Sequence, residues 1–168
     1  MGTEEHKKNA VKQLKIGIIT LSSTRTLTDD ESGHWIREQA EKQGHGVIFH
    51  RVIPDHAGAI AETVSGVIND RAPHALLLTG GTGISSKDVT IEAVSPLFEK
   101  KLTAFGPLFA HLSFEEIGSA ALLSRASAGV IRGTIVFCMP GSLKACKLAC
   151  DALIFPELGH IVKHIHEG

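Results

Sequence analysis

Residues 79–88 read TGGTGISSKD and combine the residue types from which anion-binding loops are built. Three glycines without a Cβ let the backbone adopt positive φ and bring its N–H groups close to a phosphate or carboxylate. The apolar run ALLL at 75–78 precedes the loop, and the spacing of VTIEAVSPLFE predicts a helix over 89–99. The N-terminus of that helix would add partial positive charge and free N–H groups. The segment therefore predicts a site for an anionic ligand.

The loop fits neither of the two commoner phosphate-binding patterns. Counting from Gly80 or Gly83 places Ser85 or Asp88 where a P-loop needs its second glycine. The dinucleotide pattern G-x-G-x-x-G fails as well, because the stretch that begins at Gly81 ends in serine. An ordinary strand-to-helix turn remains the alternative interpretation.

Other polar residues follow the ends of predicted strands. Ser22 to Arg25 follow the first strand, Asp55 the second, Asp88 ends the glycine loop, and Pro140 to Ser142 follow the last strand. In an open parallel sheet ligands collect at the carboxyl ends of the strands. Two carboxylates beside a phosphate loop favour a hard cation, because Mg²⁺ prefers one or two carboxylates together with substrate phosphates. Asp55 and Asp88 are therefore candidate magnesium ligands.

Each aspartate also has a simpler explanation. Asp88 precedes Val89 and is a favourable N-cap for the predicted helix. Asp55, between Pro54 and His56, is suited to a turn or a cap. For each aspartate, the cap or turn and the magnesium ligand both stay open as explanations. The shared position of the two residues at strand ends favours a functional site.

The order of apolar runs and helical patterns predicts an α/β fold in which crossover helices cover both faces of a mostly parallel sheet. We expect a short antiparallel hairpin near 129–139, with Arg132 and Gly133 at its turn. The predicted strands are 15–21, 47–53, 75–78 and 134–139, and the other predicted helices are 32–43, 57–70 and one from Leu143. Residues 1–14 are charged and weakly patterned, so we expect a flexible or interface arm before a single domain at 15–168.

Composition excludes several classes of partner. The chain has 168 residues, with 17 basic against 18 acidic residues, so no net charge favours nucleic acid or an anionic membrane. No run approaches the roughly 20 apolar residues of a membrane span, and the N-terminus lacks the apolar core of a signal peptide, which predicts a cytoplasmic protein. The three cysteines lack C-x-x-C spacing and are expected in the core: Cys138, Cys146 and Cys150.

Several separated motifs together resemble one family. They are TGGTG followed by KDVT, IPD at 53–55, LSRA at 123–126 and PGS at 140–142. Because these motifs occur in this order, the chain resembles the MoaB/MogA family of molybdenum-cofactor biosynthesis proteins, and most closely its MoaB branch. The resemblance covers about 15–160, and it implies a three-layer sandwich around the sheet.

The resemblance implies adenylylation of molybdopterin by Mg-ATP, with ATP and molybdopterin as substrates, Mg²⁺ as cofactor and pyrophosphate as by-product. It implies that Asp55 and Asp88 are the catalytic pair. The residues that it implies for nucleotide or molybdopterin binding are Thr79, Gly80, Gly81, Thr82, Gly83, Pro140, Gly141 and Ser142, and we add Ser22 and Ser124 from their hydroxyls. A catalytically silent scaffold that binds molybdopterin or nucleotide in the same pathway, and a phosphohydrolase-like enzyme on a related sheet, are the alternatives.

The resemblance also implies homotrimers or homohexamers, and possible contact with the molybdate-inserting protein of the pathway. Phe98, Phe105, Phe109 and Phe114 fit either the core or an apolar surface for assembly. His160 and His164 are spaced to meet on one helix face and hold a metal, and a solvated C-terminal tail is the alternative.

Overall fold

A computed structural model of the protein describes residues 10–167. Its six strands form one sheet in the order β2-β1-β3-β6-β5-β4. The strands are β1 (Lys15–Leu21), β2 (Gly46–Ile53), β3 (Ala75–Thr79), β4 (Lys100–Lys101), β5 (Ser127–Ile131) and β6 (Thr134–Met139). Strands β2, β1, β3 and β6 pair in parallel, whereas β5 pairs antiparallel with β6 and with β4. This confirms the predicted mostly parallel sheet and its hairpin.

Helices cover both faces of the sheet. They are α1 (Glu31–Lys42), α2 (Ala57–Arg71), α3 (Thr90–Val94), α4 (Phe105–Ile117), α5 (Leu143–Ala149) and α6 (Phe155–His166), with 3₁₀ segments at Ser95–Leu97 and Gly118–Leu123 and a π segment at Cys150–Ile154. Side chains of α1, α4, α5 and α6 share one buried cluster with one face of the sheet, and α2 and α3 share a second cluster with the other face. The predicted three-layer sandwich is therefore confirmed.

The central strands are buried on both faces, which explains their continuous apolar sequences. All five residues of β3 and all six of β6 are buried. The β5–β6 turn uses Arg132 and Gly133, with φ of +46° and +80°. Positive φ at both turn residues matches the right-handed twist of the strands, so the hairpin closes in two residues.

The helix predicted over 89–99 is wrong in length. The α-helix is only Thr90–Val94, and a 3₁₀ segment with Pro96 follows it. Proline has no N–H to continue the helical hydrogen bonds. The N–H of Glu99 instead donates to the carbonyl of Val130, 2.9 Å away, and starts the pairing of β4 with β5.

The chain ends are described in part. Of the predicted arm, residues 1–9 lie outside the described range. Leu14 is 1% exposed, and the N–H of Val11 donates to the carbonyl of Gly159 at 3.4 Å. The domain boundary at residue 15 stays a prediction. Within residues 10–167 no helix has the length and apolar character needed to cross a membrane.

Candidate functional site

The parallel strands deliver the predicted site residues to one edge of the sheet. In the pairing register Leu21 is opposite Ile53, Thr20 is opposite Thr79, and Thr79 is opposite Met139. The loops that follow β1, β2, β3 and β6 therefore begin at the same level. Parallel pairing thus brings together residues that are up to 116 positions apart in sequence, such as Arg25 and Gly141.

The glycine loop is held by its neighbours in a conformation that requires glycine. Gly80 and Gly81 have φ of +105° and +66°. The N–H of Gly80 donates to the carbonyl of Met139 at 2.9 Å, while the Thr90 hydroxyl donates to the carbonyl of Gly80 at 2.8 Å. The N–H groups of Gly81 and Thr82 have no hydrogen-bond partner among the described residues. Two free amides in a fixed loop are suited to an anionic ligand.

Asp88 folds back onto the loop instead of capping the following helix. Its carboxylate accepts hydrogen bonds from the Ser85 hydroxyl at 2.7 Å and the Ser85 N–H at 3.0 Å. The N-cap of α3 is Val89, which makes no side-chain cap hydrogen bond, so the capping explanation for Asp88 is wrong. The hydrogen bonds from Ser85, with help from Gly83 and the Arg125 charge, hold the pKa of Asp88 below its ordinary value. Asp88 is thus ionised at neutral pH.

Asp55 lies next to the loop at Gly81. Its Oδ2 accepts hydrogen bonds from the N–H of Ser23 at 3.2 Å and the Ser23 hydroxyl at 3.4 Å. A Cβ on Gly81 would lie 3.6 Å from Asp55 Oδ1, and a Cβ on Gly83 would lie 2.7 Å from Asp88 Oδ2. Both aspartates therefore lie next to the glycine loop, and a side chain at position 83 would collide with the carboxylate of Asp88.

The Pro140–Ser142 turn packs directly against the glycine loop. A Cβ on Gly141 would lie 3.1 Å from the Cα of Gly80. The Gly141 carbonyl accepts hydrogen bonds from the Ser32 hydroxyl at 2.9 Å and from Arg25 at 3.3 Å. The Ser142 side chain accepts from the N–H of Ala145 and so caps α5.

A cavity of about 340 Å³ opens beside the loop and the turn. We call it the Ser124 cavity. It is lined by the loop and turn residues Thr82, Gly83, Pro140 and Ser142, by the polar residues Ser113, Glu116, Ser124 and Lys144, and by apolar residues of α4, α5 and the 3₁₀ segment after α4. Arg125 fixes its wall, because the guanidinium donates to the carbonyl of Gly83 at 3.1 Å and forms an ion pair with Glu92.

Two of the predicted binding residues lie elsewhere. Thr79 is fully buried, and its hydroxyl donates to the carbonyl of Pro140 at 3.0 Å, so its side chain joins the loop to the turn. The Ser22 hydroxyl accepts from the N–H groups of Thr24 and Arg25, at 3.2 and 3.0 Å. Ser22 thus shapes the turn after β1, and it lines a different cavity.

Sequence reasoning missed a buried hydrogen-bond network behind this edge. Asp30 is 0% exposed, caps α1 through the N–H of Gly33, and accepts from the Thr20 hydroxyl at 2.6 Å. Its Oδ2 also lies 2.7 Å from Nε2 of His50. Burial raises the pKa of Asp30, but the hydrogen bonds from His50, Thr20 and Gly33 outweigh burial and hold the pKa below its ordinary value. The sequence signal that could have indicated this role is the position of Asp30 at the start of a predicted helix.

Lys144 was missed as well. It lies in the first turn of α5, where the helix dipole disfavours a cation, so its placement was a signal in the sequence.

The cysteines and C-terminal histidines do not form a metal site. Within residues 10–167 no group of three or more His, Cys, Asp or Glu side chains could hold a metal ion. All three cysteines are buried, as predicted, and burial raises the pKa of Cys138 to about 12. His160 contacts Glu157 and His164 on α6, so these residues belong to a helix and not to a solvated tail.

The fold and the site together define an α/β protein that binds an anionic ligand at the carboxyl edge of a parallel sheet. The family described as "Probable molybdopterin binding domain" matches residues 17–160. The chain therefore belongs to the MoaB/MogA family of molybdenum-cofactor biosynthesis proteins.

Individual relatives agree over nearly the whole length. The Bacillus subtilis (strain 168) protein named Molybdenum cofactor biosynthesis protein B is 45% identical over 168 residues, which is 99% of each chain. A Pyrococcus furiosus protein named Molybdopterin adenylyltransferase is 41% identical over 173 residues, covering 99% of this chain and 100% of its own. A crystal structure of Molybdenum cofactor biosynthesis protein B superimposes with a TM-score of 0.90 at 42% identity, covering 94% of this chain and 98% of that one.

Proposed function

We propose that the protein is a molybdopterin adenylyltransferase of molybdenum-cofactor biosynthesis, with ATP as the adenylyl donor. The observation that carries the proposal is that Asp55 and Asp88 both lie next to a glycine loop that has two free amides. The 41% identity to a full-length protein named for this activity supports the choice of substrates.

The reaction needs positioning and charge stabilisation more than a protein nucleophile. A terminal phosphate oxygen of molybdopterin attacks the α-phosphorus of ATP. The bond from that phosphorus to the bridging oxygen of pyrophosphate breaks, and pyrophosphate leaves with the electron pair. The free N–H groups of Gly81 and Thr82 are suited to bind phosphate oxygens during this step.

The candidate residues divide by their positions. We assign Asp55 and Asp88 as the catalytic pair and Gly80 to Gly83 as the phosphate-binding loop. The Ser124 cavity, which includes Ser142, is suited to molybdopterin, because it combines apolar walls with hydroxyls, one lysine and one glutamate. Thr79, Pro140, Gly141 and Ser22 act as positioning residues, since their contacts hold the loop, the turn and the segment after β1.

The residues present fit a magnesium ion that arrives with ATP. Mg²⁺ uses one or two protein carboxylates and completes its coordination with phosphate oxygens and water. Asp88 is ionised, and the two carboxylates lie next to the loop that is proposed to bind the phosphates. Asp55 and Asp88 would hold the ion, which would neutralise charge on the phosphates as the bond breaks.

One observation favours a second candidate, a catalytically silent protein that binds molybdopterin or nucleotide. The Bacillus subtilis relative, at 45% identity, is named for the pathway alone. This candidate predicts ligand binding without pyrophosphate release.

The proposal is tested by mixing the protein with molybdopterin and Mg-ATP and measuring pyrophosphate. We expect release that depends on molybdopterin, and a rate at least about 100-fold lower in Asp88→Asn, because an aligned charge near the transferred phosphoryl group is lost. Asp151→Asn changes an exposed aspartate that lines neither the Ser124 cavity nor the cavity that contains Ser22, and it should keep the wild-type rate. Release that is equal in wild type and Asp88→Asn, or absent from both, would refute the proposed transferase.

Assembly with other copies is part of the proposal. Large apolar side chains on α4 and the following 3₁₀ segment are exposed: Leu108, Phe114, Ile117, Leu122 and Leu123. Contiguous exposed apolar side chains mark interaction surfaces, and closed symmetric homo-oligomers are the commonest outcome. We propose a homotrimer or homohexamer that uses this surface. Contact with the molybdate-inserting protein and a cytoplasmic location stay predictions.

A further inference from the structure

Arg125 holds the chain at two points, one before and one after Asp88 in the sequence. Its guanidinium donates to the carbonyl of Gly83 at 3.1 Å, and it forms an ion pair with Glu92 in α3. Asp88 lies about midway between these two residues in the sequence. One side chain from a distant part of the chain therefore holds both ends of the segment that carries a proposed catalytic aspartate.

The contacts of Asp88 with its own turn are local. Its N–H donates to the carbonyl of Ser85 at 3.0 Å, and the N–H and hydroxyl of Ser85 donate to its carboxylate. A Cβ on Gly83 would lie 2.7 Å from Asp88 Oδ2, so the carboxylate also borders the residue whose carbonyl Arg125 binds. The local hydrogen bonds shape the turn at 83–88, and Arg125 supplies a restraint from outside it.

The glycines at the base of the loop are held by other contacts. The N–H of Gly80 donates to the carbonyl of Met139 at 2.9 Å, and the N–H of Thr90 donates to the carbonyl of Gly81 at 3.0 Å. The Thr90 hydroxyl binds the carbonyl of Gly80 as well. Loss of Arg125 should therefore displace the turn that carries Asp88 more than the glycines that are proposed to bind phosphate.

The backbone that carries Arg125 is anchored on both sides. The N–H of Ser124 donates to the carbonyl of Ala121 at 2.9 Å. The carbonyl of Ala126 packs on α4, because a Cβ on Gly106 would lie 2.7 Å from its oxygen. A side chain that starts from a fixed backbone keeps its charged end in place at a lower cost in entropy.

The charge of Arg125 lies near two carboxylates. The hydrogen bond from Arg125 is the largest cause that holds the pKa of Glu92 below its ordinary value. The side chains of Arg125 and Glu92 are 33% and 52% exposed, and an ion pair this accessible to solvent adds little to the stability of a fold. The pair is therefore better explained by the position that it gives to the loop than by stability.

We propose that Arg125 is a positioning residue that places Asp88 for adenylyl transfer. The proposal rests on the proposed function, because that function assigns Asp88 to the catalytic pair. Arg125 acts through the carbonyl of Gly83 and the carboxylate of Glu92, and it contributes to the rate of transfer rather than to the binding of ATP.

Steady-state kinetics of Arg125→Gln test this role. We expect kcat to fall about 10-fold and the KM for ATP and for molybdopterin to stay within about 2-fold of wild type, because a misplaced carboxylate slows the transfer without removing a binding contact. Arg37→Gln is the matched control, since Arg37 pairs with Glu41 on the surface of α1, and it should keep the wild-type kcat. A raised KM with unchanged kcat would show that Arg125 binds a substrate directly, and it would overturn the proposal.

The double variant Arg125→Gln, Glu92→Gln separates positioning from independent roles. It should be no slower than Arg125→Gln alone, because Glu92 acts through Arg125. Independent, multiplying losses of rate would overturn the proposal. Both variants should keep a Tm within about 4 °C of wild type, since the ion pair is partly exposed. A variant that is unfolded at the assay temperature would show a structural role and would also overturn it.

Amide hydrogen exchange gives a readout that needs no turnover. The peptide that contains residues 83–88 should exchange faster in Arg125→Gln than in wild type or Arg37→Gln, because the external restraint is lost. If the wild type releases no pyrophosphate, the transferase fails and exchange decides: faster exchange supports Arg125 as the residue that positions this turn, and unchanged exchange overturns it. If the wild type releases pyrophosphate and Arg125→Gln keeps its kcat, only the role of Arg125 fails.

Discussion

The hydrogen bonds that Asp30 and Asp88 accept in the folded protein lower the pKa of both carboxyl groups. Asp88 is held ionised by Ser85 within its own loop, so it can serve a cation and phosphates. Asp30 is held ionised inside the protein by three donors from three elements. The first contributes to the proposed chemistry, and the second contributes to the stability of the loop that follows β1.

Replacing Asp30 by asparagine should destabilise the fold at neutral pH. We expect Asp30→Asn to lower the free energy of unfolding by about 2 kcal/mol, because hydrogen bonds to a buried charge are weakened. The pKa of Asp30 is lower in the folded protein than its ordinary value of 3.8, so the stabilisation is complete above that value. It is lost as the pH falls through the folded pKa.

Urea unfolding at several pH values measures this effect. The difference between wild type and Asp30→Asn should shrink below about pH 4. The exposed Asp151→Asn should unfold like the wild type throughout. A difference that does not change between pH 7 and pH 3 would show that the charge of Asp30 contributes nothing.

The connection between β3 and α3 is the element on which the site depends. Gly80 combines a φ of +105° with a close approach to the backbone of β1. A Cβ at this position would collide with the carbonyl oxygen of Leu21. The neighbour is main chain, so it cannot move away without shifting the strand that carries Thr20 and leads into Ser22.

We therefore expect Gly80→Ala to lower the free energy of unfolding by about 2 kcal/mol or more and to reduce pyrophosphate release. Gly66→Ala is the control within α2, where a Cβ meets nothing within 4 Å. That change should raise stability by about 0.5 to 1 kcal/mol, because alanine favours the helix. Thermal unfolding of both variants measures these opposite effects. Equal stability of Gly80→Ala and wild type would contradict the described loop geometry.

Elements were predictable where local sequence decides them. The strands at Lys15–Leu21 and Thr134–Met139 follow from continuous apolar runs bounded by polar residues, glycine or proline. The length of the helix after the loop was overestimated, because Glu99 hydrogen-bonds to Val130, 31 residues away. The spacing of apolar residues does not indicate that contact. The pairing of Asp30 with His50 was hidden for the same reason, since it depends on the packing of α1 against β2.

At the level of the whole molecule, α4 and the following 3₁₀ segment leave an apolar surface exposed. Phe114 is 60% exposed and Leu122 is 88% exposed, while Phe105 and Phe109 of the same helix are buried. Of the four phenylalanines predicted as either core or assembly surface, three contribute to the core, with Phe98 packed against it, and only the exposed Phe114 keeps assembly as a prediction. The exposed part adjoins Leu123 and Ser124, so assembly would place another copy near the Ser124 cavity.

We expect the wild type to be a homotrimer or homohexamer and the double variant Phe114→Lys, Leu122→Lys to be a monomer, because charge on an apolar interface opposes association. Light scattering after gel filtration gives the mass directly. Leu27→Lys, at the opposite end of the sheet, should leave the mass unchanged. A monomeric wild type, or a double variant of unchanged mass, would contradict assembly through this surface.

We propose that the phosphates of ATP bind at the glycine loop, with a cation held by Asp55 or Asp88. A crystal of the protein soaked with a non-hydrolysable ATP analogue and Mg²⁺ provides the decisive test. We expect triphosphate density along Gly80 to Gly83, within hydrogen-bond distance of the free amides, and a cation bound by Asp55 or Asp88. Triphosphate bound away from this loop, or a loop that stays empty at saturating analogue, would contradict it.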